Sequence, residues 1–128
     1  MFKRIDHTEI IPIDYDDTLK FYTEVLGFTL EEKKKVDKPP MHEIAYLQLG
    51  DTILEVMAVT DPPPVSKEPW QVGFKRIALE VESMDKAVEY LKTKGIEMKV
   101  GPVNLGSSMR AEFEEINGLS IELREWFK

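Results

Sequence analysis

The chain has 128 residues, a formal net charge of −7 and no cysteine. This length predicts one domain, and the lack of cysteine excludes disulfides, thiolate metal sites and a cysteine nucleophile. An acidic chain lacks the basic surface that binds nucleic acid, and no apolar run approaches the about 20 residues of a membrane span. No signal peptide is visible. We therefore expect a cytoplasmic protein with no nucleic-acid or membrane partner.

The first half of the chain predicts one helix among four strands. Its expected elements are a strand at 4–11, a helix at 15–26 and strands at 28–34, 44–49 and 52–59. Asp14 or Asp16 can cap the helix, and Gly50-Asp51 is a plausible tight turn between the last two strands. Residues 33–40 contain four lysines and two prolines, and we expect them to form a mobile loop.

The second half repeats this order after a linker. The four prolines of residues 60–72 are incompatible with regular structure. The expected elements that follow are a strand at 75–81, a helix at 84–94, a strand at 97–100, a loop at 101–108 and strands at 110–116 and 119–126. Ser83 is a good N-cap for this helix, and Asn117-Gly118 is a strong hairpin signal. The sequence therefore predicts an α+β fold of two tandem βαβββ modules, repeat 1 at about 1–60 and repeat 2 at about 73–128.

The two halves also match residue by residue. Superposing them places His7 on Arg76, Asp16 on Asp85, Leu19 on Val88, Tyr46 on Phe113 and Glu55 on Glu122. Because side chains alternate along a strand, four strand residues are expected to point away from the helices, namely His7, Glu55, Arg76 and Glu122. If the modules curl into a mixed sheet with the helices outside, these side chains line a cleft.

Four further residues are candidates for the same cleft. Glu9 shares a strand face with His7 and is either a general base, a partner that orients the imidazole, or a solvated residue at a strand end. Arg124 shares a face with Glu122 and can compensate its charge. Tyr46 and Phe113 suit an apolar pocket wall, but core packing explains them equally well.

The whole pattern resembles the vicinal oxygen chelate superfamily, which includes glyoxalase I, methylmalonyl-CoA epimerase, extradiol dioxygenases, and the fosfomycin and bleomycin resistance proteins. The resemblance covers nearly the whole chain. The segments that carry it are 5–8 with its histidine, 21–22, 26–28, 76–81, 94–96, 101–103 and 117–118 ahead of 121–123.

The resemblance implies a metal site with one ligand from each of four strands. His7, Glu55 and Glu122 occupy three of these positions, and they suit Zn²⁺, Ni²⁺, Fe²⁺ or Mn²⁺. Arg76 occupies the position that is usually histidine, and a guanidinium cannot act as a ligand. Either the other three residues hold the metal, or Arg76 neutralises Glu55 and Glu122 and no metal binds.

Three functions follow from the resemblance. The first is a lyase or isomerase of the glyoxalase or epimerase type, in which a metal stabilises an enolate and Glu122, Glu55 or Glu9 moves a proton. The second is a metal-free binding protein of the bleomycin-resistance type. The third is an extradiol dioxygenase, which normally needs a second histidine. All three imply a small-molecule ligand, and the resemblance further implies a homodimer.

Overall fold

The structure is a computed structural model that describes all residues from Met1 to Lys128. It divides into two compact units, Met1–Pro64 and Val65–Lys128. The division lies inside the segment 60–72 that the sequence predicts to be a linker. Each unit has the order βαβββ and forms one four-stranded sheet. The predicted α+β fold of two similar modules is therefore confirmed.

The first unit contains four strands and one helical segment. In chain order these are β1 (Thr8–Ile10), α1 (Tyr15–Lys20) continued by a π-helical turn (Phe21–Val25), β2 (Thr29–Lys38), β3 (Met41–Leu49) and β4 (Thr52–Val59). The strand order across the sheet is β1-β4-β3-β2. β1 runs parallel to β4, and the other neighbours are antiparallel. The sheet is therefore mixed. The charged strand β2 forms one edge and β1 forms the other.

Alternation along β4 positions the core of this unit. Leu54 and Val56 are buried, whereas Glu55 between them is partly exposed, so one face of β4 belongs to the core and the other does not. α1 packs on β4. The Asp14 carboxylate accepts a hydrogen bond from the Asp17 backbone N–H at 2.8 Å, and this cap fixes where α1 begins.

The second unit has the same topology. Its elements are β5 (Ile77–Glu80), α2 (Met84–Thr93), β6 (Val100–Asn104), β7 (Ser108–Glu114) and β8 (Ser120–Trp126). The strand order is β5-β8-β7-β6, with β5 parallel to β8. In the first unit Glu9 lies opposite Glu55, and in the second Ala78 lies opposite Glu122. The predicted duplication is therefore present in the strand register itself.

Two side chains cap α2, and one of them comes from the sheet. Ser83 Oγ accepts from the Lys86 N–H at 3.3 Å, as its N-cap position predicts. The Glu125 carboxylate also accepts from the Met84 N–H at 2.7 Å. Because Glu125 lies on β8, this bond fixes the helix start to the strand, and its negative charge suits the positive end of the helix dipole.

Two expectations about loops are wrong. Residues 33–40 do not form a loop: β2 continues to Lys38, turns at Pro39-Pro40, and pairs with β3 from Met41. Lysine-rich sequence here marks a protected sheet edge rather than a break in the sheet. Residues 101–108 are not a continuous loop either, because β6 covers Val100–Asn104. The strand predicted at 97–100 therefore begins three residues later than expected and continues into the predicted loop.

No helix in the structure is long and apolar enough to cross a membrane.

Candidate functional site

The first unit places a histidine among three carboxylates. His7 Nε2 lies 2.7 Å from Glu55 Oε2 and 3.2 Å from Glu9 Oε2, and Nδ1 lies 2.9 Å from Asp6 Oδ2. The Glu55 side chain is only 13% exposed. Tyr46 lies directly opposite Glu55 in the register of β3 and β4, so it shares this face. The structure thus brings together His7, Glu9, Glu55 and Tyr46.

Both nitrogens of the His7 ring face a carboxylate oxygen, and this favours the doubly protonated imidazolium. The hydrogen bond to Asp6 raises the pKa of His7 above its usual value, and the hydrogen bond to Glu9 and the charge of Glu55 act in the same direction against a smaller effect of burial. The same bond lowers the pKa of Asp6. These contacts therefore favour the protonated form of the ring.

The second unit carries a larger charged group on the face of its sheet that lies opposite the buried residues Ile121 and Leu123. We call this group the arginine face. It consists of three arginines and two glutamates: Arg76, Arg110, Glu112, Glu122 and Arg124. Their side chains are between 13% and 23% exposed. All five are therefore largely removed from water.

These five side chains form one alternating chain of ion pairs. Arg76 Nη2 lies 3.1 Å from Glu112 Oε1, and Arg110 Nη1 lies 2.7 Å from Glu112 Oε2. Arg110 also donates to Glu122 Oε1, and Arg124 Nη2 donates to Glu122 Oε2 at 2.9 Å. Each carboxylate therefore lies between two guanidinium groups.

This pairing decides the charge of Glu122. Burial by itself raises the pKa of this carboxyl group, but hydrogen bonds and charge from Arg110 and then Arg124 outweigh it, so the pKa is lowered. The same contacts raise the pKa of Arg110. Glu122 is consequently an ionised acceptor at neutral pH, and a proton on it would break two ion pairs.

Two expectations about this face are corrected. In one of the two alternatives for Arg76 it neutralises Glu55 and Glu122, but its ion-pair partner is Glu112, because Glu122 is already held by Arg110 and Arg124. Phe113 was predicted to match Tyr46 and to line the ligand cleft, with core packing as an equal alternative. It is wholly buried, opposite the buried Ile121, so for Phe113 the cleft assignment is wrong and core packing is correct.

A single residue in a turn explains the error for Phe113. In the first unit Leu49 pairs with Thr52 across the two residues 50–51. In the second unit the Glu115 N–H donates to the Leu119 carbonyl across the three residues 116–118. The additional residue shifts β7 by one position, and a shift of one position reverses the faces. Register therefore matches Tyr46 with Glu112.

The sequence analysis missed Arg110 and Glu112 for the same reason. Both lie on β7, at positions that alternate with the buried Ala111 and Phe113. This alternation was the signal that could have found them, because a charged residue on each side of a buried one predicts a polar sheet face.

The four-ligand metal site of the resembled family does not fit these residues. No group of three or more histidine or acidic side chains anywhere in the chain is arranged to hold a metal ion. Both oxygens of Glu122 accept from guanidinium groups, and Arg76 offers no lone pair. His7 and Glu55 lie together, in the other unit. The expectation that His7, Glu55 and Glu122 share one metal stays a prediction.

Comparison with known proteins identifies relatives over almost the whole chain. The model of the Glyoxalase/Bleomycin resistance protein/Dioxygenase superfamily matches residues 4–123. A lactoylglutathione lyase from Escherichia coli O157:H7 is 29% identical over 125 residues, which cover 95% of this chain and 92% of that protein.

Solved structures share the fold. A glyoxalase family protein from Enterococcus faecalis superposes with a TM-score of 0.82 at 28% identity, covering 97% of this chain and 98% of that one. The fosfomycin resistance protein FosX from Listeria monocytogenes, solved with Mn(II) and a sulfate ion, superposes with a TM-score of 0.74 at 16% identity, covering 99% of this chain and 95% of that one. At that identity the second similarity shows the fold alone.

Proposed function

The chain belongs to the Glyoxalase/Bleomycin resistance protein/Dioxygenase superfamily, and on that premise we propose that it is a metal-free small-molecule-binding protein of the bleomycin-resistance type. In this proposal Arg76 and the guanidinium groups beside it supply the positive charge that a metal ion supplies in other members. The ligand is held at sheet faces that carry polar side chains, and the protein performs no chemistry on it.

The observation that carries this proposal is the state of Glu122. Arg110 and Arg124 already contact both of its carboxylate oxygens at 2.6 and 2.9 Å. A cation bound there would be repelled by two guanidinium groups and would compete with their partly buried charge-assisted hydrogen bonds. Arg76 occupies the position of the usual histidine ligand, and its positive charge would also repel a cation.

In the first unit we assign ligand contact to His7, Glu55 and Tyr46. The imidazolium offers N–H donors, and the phenol of Tyr46 offers a donor, an acceptor and an aromatic surface. Glu9 is assigned to holding the His7 ring in place through its contact with Nε2 at 3.2 Å. These assignments follow from contacts within that unit.

The variant Arg76→His tests this proposal. If Arg76 stands where a metal ligand would otherwise be, the introduced imidazole should permit binding of Zn²⁺ or Ni²⁺. Isothermal titration calorimetry detects this binding. The wild-type chain should bind neither metal. Arg76→Gln is the matched control, since it removes the charge without adding a ligand. Stoichiometric binding by the wild type would contradict the proposal.

A second candidate function is a lyase or isomerase that uses a divalent metal. The E. coli lactoylglutathione lyase at 29% identity over 95% of the chain supports it, and so does the pairing of His7 with Glu55 at 2.7 Å. In this alternative His7, Glu55 and Glu122 are the ligands for Zn, Ni, Fe or Mn, and Glu122 or Glu9 moves the proton. Turnover of a 2-oxoaldehyde–thiol adduct that Glu122→Gln abolishes would favour it.

We also propose that the protein is a homodimer. Six large apolar side chains are more than 80% exposed in the single chain, namely Met1, Phe2, Ile5, Trp70, Val72 and Phe74. Exposed apolar surface of this kind favours association. Light scattering after size exclusion should give twice the 14.8 kDa of one chain, and a mass of one chain at micromolar concentration would contradict it.

A further inference from the structure

We infer that the arginine face is an oxyanion-binding site, so that the ligand of this protein is a small organic molecule bearing a carboxylate or a phosphate group. This inference rests on the proposed function and deepens it, because it names the ligand class. It is carried by the charge balance of the face, by its unused donors, and by the rigid placement of its arginines.

The five residues of the face carry a surplus of one positive charge, although each arginine has an ion-pair partner. They comprise three guanidinium groups and two carboxylates, so together they carry a net charge of +1. The chain as a whole carries −7, so this surplus is opposite in sign to the rest of the molecule. Partly buried charges are costly unless they are paired, and a bound oxyanion would complete the pairing.

The unused donors lie at the two ends of the ion-pair chain. The central Arg110 uses all three of its side-chain nitrogens, since Nε, Nη1 and Nη2 each contact a carboxylate oxygen. In contrast, the Nε atoms of Arg76 and Arg124 are buried and have no hydrogen-bond partner. Arg76 has a single ion-pair contact, through Nη2. Donors therefore exceed acceptors at the two outer arginines.

The outer arginines are held in position before any ligand arrives. Arg124 donates to Glu122 and to Ser108 Oγ at 3.3 Å, and its guanidinium carbon lies 5.1 Å from the centre of the Trp126 ring. Arg76 is held by Glu112. A guanidinium fixed in this way loses little entropy on binding, and its planar fork matches carboxylate and phosphate oxygens.

A purely structural network is the competing explanation, and the register counts against it. Arg110 lies directly opposite Arg124, and Glu112 directly opposite Glu122. Like charges in directly opposed positions destabilise a sheet, so a network built only for stability would place opposite charges across the strands. The arrangement instead places the positive charges of Arg110 and Arg124 directly opposite each other.

The test is an NMR titration that observes the arginine Nε–H resonances directly. The protein in EDTA is titrated with phenyl phosphate, benzoate and the uncharged benzyl alcohol at constant ionic strength. We expect the resonances of Arg76 and Arg124 to shift saturably with an anion, with a dissociation constant at least about tenfold below that for benzyl alcohol. The tighter of the two anions identifies phosphate or carboxylate as the group recognised.

Variants separate the site from general charge effects. Arg76→Gln should weaken anion binding about tenfold, and Arg76→Lys should weaken it less, because lysine keeps the charge but not the fork. Lys92→Gln makes the same change in net charge on the exposed surface of α2 and should leave affinity unchanged. Circular dichroism confirms that each variant is folded.

The outcomes separate this inference from the proposed function. Equal affinity for the anions and benzyl alcohol, no saturable shift at about 10 mM anion, or unchanged affinity in Arg76→Gln would overturn the oxyanion site alone. Anion binding that appears only after loading with Zn²⁺ would overturn the metal-free function as well. Anion binding in EDTA that Zn²⁺ does not alter supports both.

Discussion

Arg110 donates two hydrogen bonds to a single oxygen of Glu122, from Nε at 3.0 Å and from Nη2 at 2.6 Å. The two residues lie on neighbouring strands, two residues out of direct register, on the face of the sheet away from the core. Because of this contact, the Glu122 carboxylate is already ion-paired within the second unit. The contact also links the two halves of the ion-pair chain, so that the arginine face behaves as one electrostatic unit.

Glu112 is the residue on which the rest of the arginine face most depends. Glu112→Gln removes the ion-pair partner of Arg76 and one partner of Arg110, and we expect the free energy of unfolding to fall by about 1–3 kcal/mol, discounted for partial exposure. Urea denaturation measures this loss. Glu89→Gln on the exposed surface of α2 is the matched control, with an expected change within about 0.5 kcal/mol. Equal losses would show that the face contributes no stability.

The contribution of His7 to stability should depend on pH. Its pKa is raised in the folded chain, chiefly by Asp6, so its contribution is fully present below the unfolded value of about 6.5 and is lost as pH rises through the folded value. The difference in unfolding free energy between wild type and His7→Gln should therefore shrink from pH 6 towards higher pH. A difference that grows with pH would contradict the described contacts.

The corrected face of Phe113 gives a contrast between two aromatic residues. Phe113→Ala should cost about 3–5 kcal/mol of stability, because it leaves a cavity in a packed core. Tyr46→Ala should cost less stability, because the Tyr46 side chain is only partly buried. Thermal and chemical denaturation measure both losses. A larger loss of stability for Tyr46→Ala would reverse the face assignment.

Glu125 should stabilise the start of α2. Glu125→Ala removes the acceptor for the Met84 N–H, and loss of such a cap costs about 1 kcal/mol. Hydrogen exchange should accelerate in the first turn of α2, and little elsewhere. Glu114→Ala, at an exposed position on β7, is the control and should change neither quantity. Unchanged exchange in the first turn would show that Ser83 alone suffices.

Much of the fold was predictable because local signals and side-chain alternation agree. β4 occupies the predicted residues Thr52–Val59, since a two-residue turn and alternating apolar residues both mark it. Ser83 caps α2 as expected. The placement of Glu55 and Glu122 on polar faces followed from alternation alone, because the buried neighbours on each side are apolar.

The parts that were not predictable depend on contacts distant in sequence or on turn length. β2 is exposed along nearly its whole length, so no apolar alternation extends the predicted strand at 28–34 to Lys38, and pairing with β3 accounts for the extension. Phe113 was assigned to the wrong face because superposing the sequences of the two halves does not reveal that the turn at 116–118 is one residue longer than the turn at 50–51. The Glu125 cap joins residues 41 positions apart, and no local pattern encodes it.

Metal content of the wild-type protein tests the central claim most directly. The protein is stripped with a chelator, reloaded separately with Zn²⁺, Ni²⁺, Mn²⁺ and Fe²⁺, desalted and analysed by mass spectrometry of the metal. Guanidinium groups contact both oxygens of Glu122, and Arg76 stands at the position of the usual histidine ligand. We therefore predict less than about a tenth of an equivalent of every metal per chain, because a competent site would load readily by mass action. One tightly held equivalent that His7→Gln and Glu122→Gln each abolish would contradict the account and establish the metal-dependent alternative.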